Sequence, residues 1–134
     1  MTALSSYAEV KILDHLFRNT ALTSPNAYIG AFTNSPTDSA SGTEASGSGY
    51  ARVQIDNKTS AATTGADNSS ITNSTAITFP AASGGAWGVI THIGIFDAAS
   101  SGNLLAHGAL SASKTISDGD TLQINISALT ITID

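Results

Sequence analysis

Between residues 120 and 134 the chain changes polarity at almost every step. Leu122, Ile124 and Ile126 alternate with Thr121, Gln123, Asn125 and Ser127, and Leu129, Ile131 and Ile133 then alternate with Thr130 and Thr132. Successive side chains on a strand point to opposite faces, so a period of two predicts half-buried β structure. The apolar phase slips by one residue at Ser127-Ala128. A straight strand cannot absorb that slip without turning its apolar row outward, so a bend or bulge is expected there. The polar row carries hydroxyls and amides but no Lys, Arg or Glu, whereas exposed sheet edges are usually blunted with charge or proline. Thr121, Gln123, Asn125, Thr130 and Thr132 therefore form a candidate interface.

The same scarcity of charge runs through the whole chain. Charged residues make up 11% of the 134, where about 25% is typical. Charge keeps monomers soluble and apart, so this composition fits a component of an assembly. The net charge is −5, and the basic residues are Lys11, Arg18, Arg52, Lys58 and Lys114. So few scattered cations cannot track a phosphate backbone, and no direct nucleic-acid partner is expected. The absence of cysteine rules out disulfides and thiolate chemistry. No apolar run approaches the ~20 residues of a membrane span, and no basic-then-apolar opening marks a signal peptide, so no membrane partner is expected. A hydrophobic fraction of 41% and a length typical of one domain predict a single folded unit over 1–134.

One helix is expected, over about 6–18. Ser6 is placed to cap it, with Glu9 three residues on to complete a capping box, and Asn19 is an acceptable stop. Val10, Leu13, Leu16 and Phe17 recur at helical spacing and form an apolar stripe. A lid over one end of a β core is the expected role, with an arm docking on a neighbouring subunit as the alternative. Everything after it reads as strands and loops. Strands are expected at 27–33, 51–55, 76–79, 89–96 and 104–110, followed by the alternating C-terminal pair. The run 89–96 is apolar enough to be covered on both faces. Residues 34–49 and 57–70 are long polar loops, the expected contact elements. The pattern predicts an all-β fold, an antiparallel β-sandwich of jelly-roll type with one short N-terminal helix.

Catalytic signals are thin. No G-x-S-x-G elbow occurs, and a triad assembled from His92, Asp97 and one of many serines has no specificity. His92 and His107 fall on adjacent expected strands but lack ligand spacing, and structural roles are expected for both. The only glutamates are Glu9 and Glu44, and nothing in the sequence brings them together as a glycosidase pair. Asp118-Gly119-Asp120 reads as a tight turn. No enzyme activity, cofactor or metal is expected.

Two stretches carry a family resemblance. Residues 87–97, Trp-Gly-Val-Ile-Thr-His-Ile-Gly-Ile-Phe-Asp, are followed at 102–110 by Gly-Asn-Leu-Leu-Ala-His-Gly-Ala-Leu. With 27–33, 49–52, Gly119-Asp120 and 128–132, they resemble small structural proteins of tailed bacteriophages and prophages. Members of this group are often labelled tail-fibre proteins, and some small sandwiches of the kind are capsid cement proteins. The resemblance implies a virion component and brings no catalytic residues. Lacking heptads or repeats of a fibre stem, the chain is expected to be a cement or decoration protein on the capsid surface. Its expected partners are the major capsid protein and itself, as a dimer or trimer. The alternative is a tail-fibre or baseplate protein that binds host glycans.

Overall fold

The computed structural model describes residues 2–66 and 68–133. In chain order its elements are β1 (Thr2–Leu4), α1 (Ser6–Phe17), β2 (Tyr28–Phe32), β3 (Val53–Gln54), β4 (Thr63–Thr64), β5 (Ser69–Thr72), β6 (Ile77–Thr78), β7 (Gly88–Phe96), β8 (Leu104–Ile116), β9 (Gln123–Ile124) and β10 (Thr130–Ile133). The sandwich expected from sequence is present, with unequal layers. Eight strands form one sheet in the order β3-β2-β7-β8-β1-β10-β5-β4, and β6 pairs with β9 in the other. Neighbours pair antiparallel except β1 with β10, which are parallel at Thr2 and Ile131. Both edges of the large sheet are strands of two residues, short enough to offer little template for further pairing.

The core lies where the small sheet covers the large one. Ile77, Phe79, Leu122 and Ile124 from around β6 and β9 meet Ile29, Ala31, Ile90, Ile93, Ile95 and Ile116. Trp87 closes one end, its ring edge-on to Tyr50 at 5.1 Å, with its indole N–H donated to the Ser48 carbonyl at 3.3 Å. Residues 89–96 were expected to be covered on both faces, and from Ile93 to Phe96 they are. Phe32, Phe96 and Leu104 make a second small cluster on the outer side, with the Phe32 and Phe96 rings stacked at 5.9 Å. Gly94 makes room for it, since a Cβ there would sit 2.9–3.0 Å from all three side chains.

β8 runs six residues past the expected end at Leu110. Its pairing with β7 slips between Ile90↔Lys114 and His92↔Ala109, so residues 110–113 stand opposite Thr91 alone. That bulge bends the long pair. A second bend falls where the phase slip placed it. Ser127 has φ 61, and the turn there carries the chain from β9 in the small sheet to β10 in the large one. The alternating run therefore serves two sheets. Ile126 and Ile133, expected inward, are 62% and 50% exposed, because each lies at or beyond the end of a paired segment.

Other expectations are corrected. Residues 57–70 are not all loop: β4 and the start of β5 fall inside them. Their Thr and Ser residues face solvent at the sheet edge, so no apolar alternation betrays the strands. β1, which inserts between β8 and β10, was not anticipated. The helix cap is Ser5 rather than Ser6, and its side chain accepts from the Ala8 N–H at 3.2 Å. With Ala8 at the third helical position there is no capping box. Ser5 is fully buried; its hydroxyl donates to the Leu104 carbonyl and its N–H to the Leu105 carbonyl at 2.9 Å. The Ser5→Ala variant is expected to lose about 1–2 kcal/mol of unfolding free energy, measured by urea denaturation. The helix end agrees with expectation, Asn19 taking φ 55.

The larger surprise is the orientation of α1. It rests on β8 through buried Ala8 and half-buried Ile12, while Val10, Leu13, Leu16 and Phe17 face water. The expected lid sits on the body by the face opposite its apolar stripe.

Candidate docking surfaces

The five residues of the expected interface divide between two layers. Thr121, Gln123 and Asn125 are exposed on and beside β9, while Thr130 and Thr132 are half-buried on β10. Three of them converge. Gln123, Asn125 and Thr130 line a groove of about 390 Å³ together with Ser111, Ala112 and Leu129. The groove lies between the β8 bulge at residues 110–113 and the chain around the Ser127 turn. Lys114 brings its single charge. Thr121 and Thr132 are not part of the lining. The Thr132 hydroxyl is instead buried without a hydrogen-bond partner among the described residues.

A residue that sequence reasoning passed over fixes this turn. Asn73 is 1% exposed. Its side-chain amide donates to the Asn125 carbonyl at 2.8 Å and the Thr75 carbonyl at 2.9 Å, and its oxygen accepts from the Leu129 N–H at 2.9 Å. The Asn73 carbonyl also accepts from the Ser127 N–H at 3.0 Å. One asparagine thus spans the bend between β9 and β10. Its only signal in the sequence is an asparagine in a polar stretch shortly before the expected strand at 76–79.

The second polar cluster fixes loop 34–49. Arg52 donates to both carboxylate oxygens of Glu44, each at 2.7 Å. It also donates to the carbonyls of Ala98 at 3.0 Å and Ser101 at 2.7 Å. Its guanidinium lies 3.5 Å from the centre of the Phe96 ring, and its side chain is only 6% exposed. Tyr50 donates its hydroxyl to Glu44 at 2.7 Å and accepts from the Ala31 N–H at 3.0 Å. Burial pushes the Glu44 carboxyl up, but the hydrogen bonds from Arg52 and Tyr50 and the Arg52 charge outweigh it and hold the group below its ordinary 4.5. Burial first, and then the bond to Glu44, push the Tyr50 phenol well above its ordinary 10.0. Gly30 leaves room for the cluster, a Cβ there falling 2.7 Å from Glu44 Oε1. With every strong donor and acceptor satisfied internally, this cluster clips the loop to the sheet.

The remaining sequence candidates are also engaged. His92 shares a 2.8 Å hydrogen bond with Thr91, and His107 lies 2.8 Å from Asp38. Asp118 accepts from the Gly84 N–H at 2.8 Å and Asp120 from the Ser117 N–H at 2.9 Å, around Gly119 with φ 86, as the turn reading requires. Among the described residues no group of three or more His, Asp or Glu could hold a metal ion, and no helix is long and apolar enough to cross a membrane. What the surface offers is a groove with a single charge and an apolar helix face. No curated protein matches the sequence. Residues 3–132 match the model of the family described as podophage GP4 fiber I protein gp80, and the chain belongs to that family of phage structural proteins.

Proposed function

We propose that the chain is a non-enzymatic building block of the phage fibre, acting through surfaces rather than bond chemistry. The family match over residues 3–132 carries this reading, and membership makes the chain a virion component. Support for a non-enzymatic role comes from the polar clusters, whose charged groups hold loops and turns. The groove beside Gln123 and Asn125 is the candidate socket for another virion protein. Host-glycan binding through residues 34–49 and 57–70 is the finer form of the fibre reading. Glycan-array binding that is lost on shortening those loops would support it.

A second reading, decoration of the capsid shell by bridging copies of the major capsid protein, is favoured by the same groove, whose lining holds one charge. Electron microscopy of particles labelled with a gold-tagged antibody against this chain separates the two. Label on the fibres supports the first, and label spread over the shell replaces it with the second. Docking through the groove has its own test. The Gln123→Lys/Asn125→Lys variant is expected to bind particles lacking the chain at least 10-fold more weakly, with an unchanged unfolding midpoint. Undiminished binding would remove the groove as the socket.

A further inference from the structure

The outward face of α1 is the least explained surface of the molecule. Val10, Leu13, Leu16 and Phe17 are 56%, 56%, 64% and 76% exposed, and Tyr7 is 38% exposed. At about 100° per residue, Val10, Leu13 and Phe17 lie on one narrow arc, with Tyr7 and Leu16 on its two flanks. The 10-13-17 spacing is the a-d-a pattern of a helix that packs along another helix. Together these side chains expose an apolar area on the order of 600 Å², the upper end of what a monomer leaves in water.

None of the described residues covers this face. Ser5 and Ser6 tie the start of α1 down, their N–H groups donating to Leu105 and Asp38. After Asn19 the chain turns back: the Thr20 N–H donates to Asp14 at 3.2 Å, and the Leu22 N–H to His15 Nδ1 at 3.3 Å. His15 points away from the stripe, so residues 20–22 return along the other side. The helix is a fixed rib with its apolar edge outward.

We propose that a second copy of this chain covers the stripe, so that the protein self-associates through parallel α1 helices. Two observations choose a copy over an unlike partner. The exposed area approaches the roughly 800 Å² per partner of a standard interface, so a matching stripe nearly suffices without help from the sandwich. The rims are also complementary. Glu9 lies on the Leu16 side, while Lys11 and Arg18, with the Asp14 paired to Arg18, lie on the Tyr7 side. Copies related by rotation about a common axis bring the acidic rim of one to the net-basic rim of the next. This inference stands apart from where in the particle the chain sits.

Sedimentation of the full chain from about 1 to 100 µM tests it, beside the Leu13→Glu/Phe17→Glu variant. The expected result is a two- or three-fold multiple of 13.5 kDa for the native chain and a single 13.5 kDa species for the variant. The variant changes only exposed positions, so its far-UV circular dichroism should match, and its melting curve should match that of the native chain at concentrations where the native chain is monomeric. A native chain that stays monomeric throughout, leaving the stripe to another virion protein, overturns the proposal. So does a variant that keeps the multiple. Should the variant unfold, Leu13→Cys decides in a chain with no other cysteine. Oxidation is expected to yield a covalent dimer, and none forming overturns the proposal.

Discussion

Replacing Arg52 with alanine is expected to lower the unfolding free energy by about 3–5 kcal/mol, read as a fall in the urea midpoint at unchanged slope. The size follows from what the side chain touches. It is 6% exposed, bonds both Glu44 oxygens and two carbonyls, and covers the Phe96 ring. Its removal strands a carboxylate that is itself only 26% exposed, and breaking one partner of such a pair costs more than the pair contributed. Lysine should recover little, because an ammonium cannot form the two-pronged contact while also reaching Ala98 and Ser101. A loss below about 1 kcal/mol would mean that Glu44 and Arg52 behave as an ordinary surface pair.

The same cluster fixes a pH dependence. The folded pKa of Glu44 is lowered below 4.5, so its contribution is present above the ordinary value and is lost as pH falls through the lower folded one. In Arg52→Ala the burial persists while the strongest opposing contacts go. The carboxyl then titrates higher, and the share of the acid loss of stability that Glu44 contributes below about pH 4.5 shrinks in the variant. Identical acid unfolding curves would contradict this assignment.

The Asn73→Ala variant is expected to lose about 2–4 kcal/mol. Alanine leaves the buried Leu129 N–H without its acceptor and takes a donor from the part-buried carbonyls of Thr75 and Asn125, of which Asn125 keeps the Ala128 N–H. Aspartate keeps the acceptor for Leu129 but turns an oxygen toward two carbonyls, so it should not rescue. Because residues 125–130 form one wall of the groove, either change should also weaken docking there. A variant with native stability would show that Ser127 and its neighbours hold the crossing without this side chain.

These residues mark where the sequence was legible and where it was not. The strands around Ile29 and Ile93 announce themselves as short apolar runs bounded by turn residues, and the one around Ile124 by a period of two that exposes its apolar face. The bend at Ser127 was readable because a phase slip has a geometric consequence. β4 and β5 were not, since Thr63, Thr64, Ser69 and Ser70 bury little on either face. Arg52 reads as the polar side of an amphipathic strand; only folding puts Glu44, Tyr50 and the 98–101 turn around it. Asn73 gives no sign of its contacts more than 50 residues away. The stripe of α1 was visible, but a periodic apolar face says only that it is to be covered, not by what. Ala8 and Ile12 proved the inward pair because the Ser5 cap fixes the helix's rotation against β8. Of the candidate interface, Gln123, Asn125 and Thr130 came together across two layers that alternation alone could not separate.

The account rests on the chain being a virion part that works by covering and being covered. A reconstruction of the intact particle at side-chain resolution tests this most directly. The predicted result is density for this domain in the fibre assembly, with α1 helices of neighbouring copies in contact and Val10, Leu13, Leu16 and Phe17 shielded from solvent. A particle without the domain, or one carrying it with the α1 stripe and the Gln123–Asn125 groove both open to water, would contradict the account.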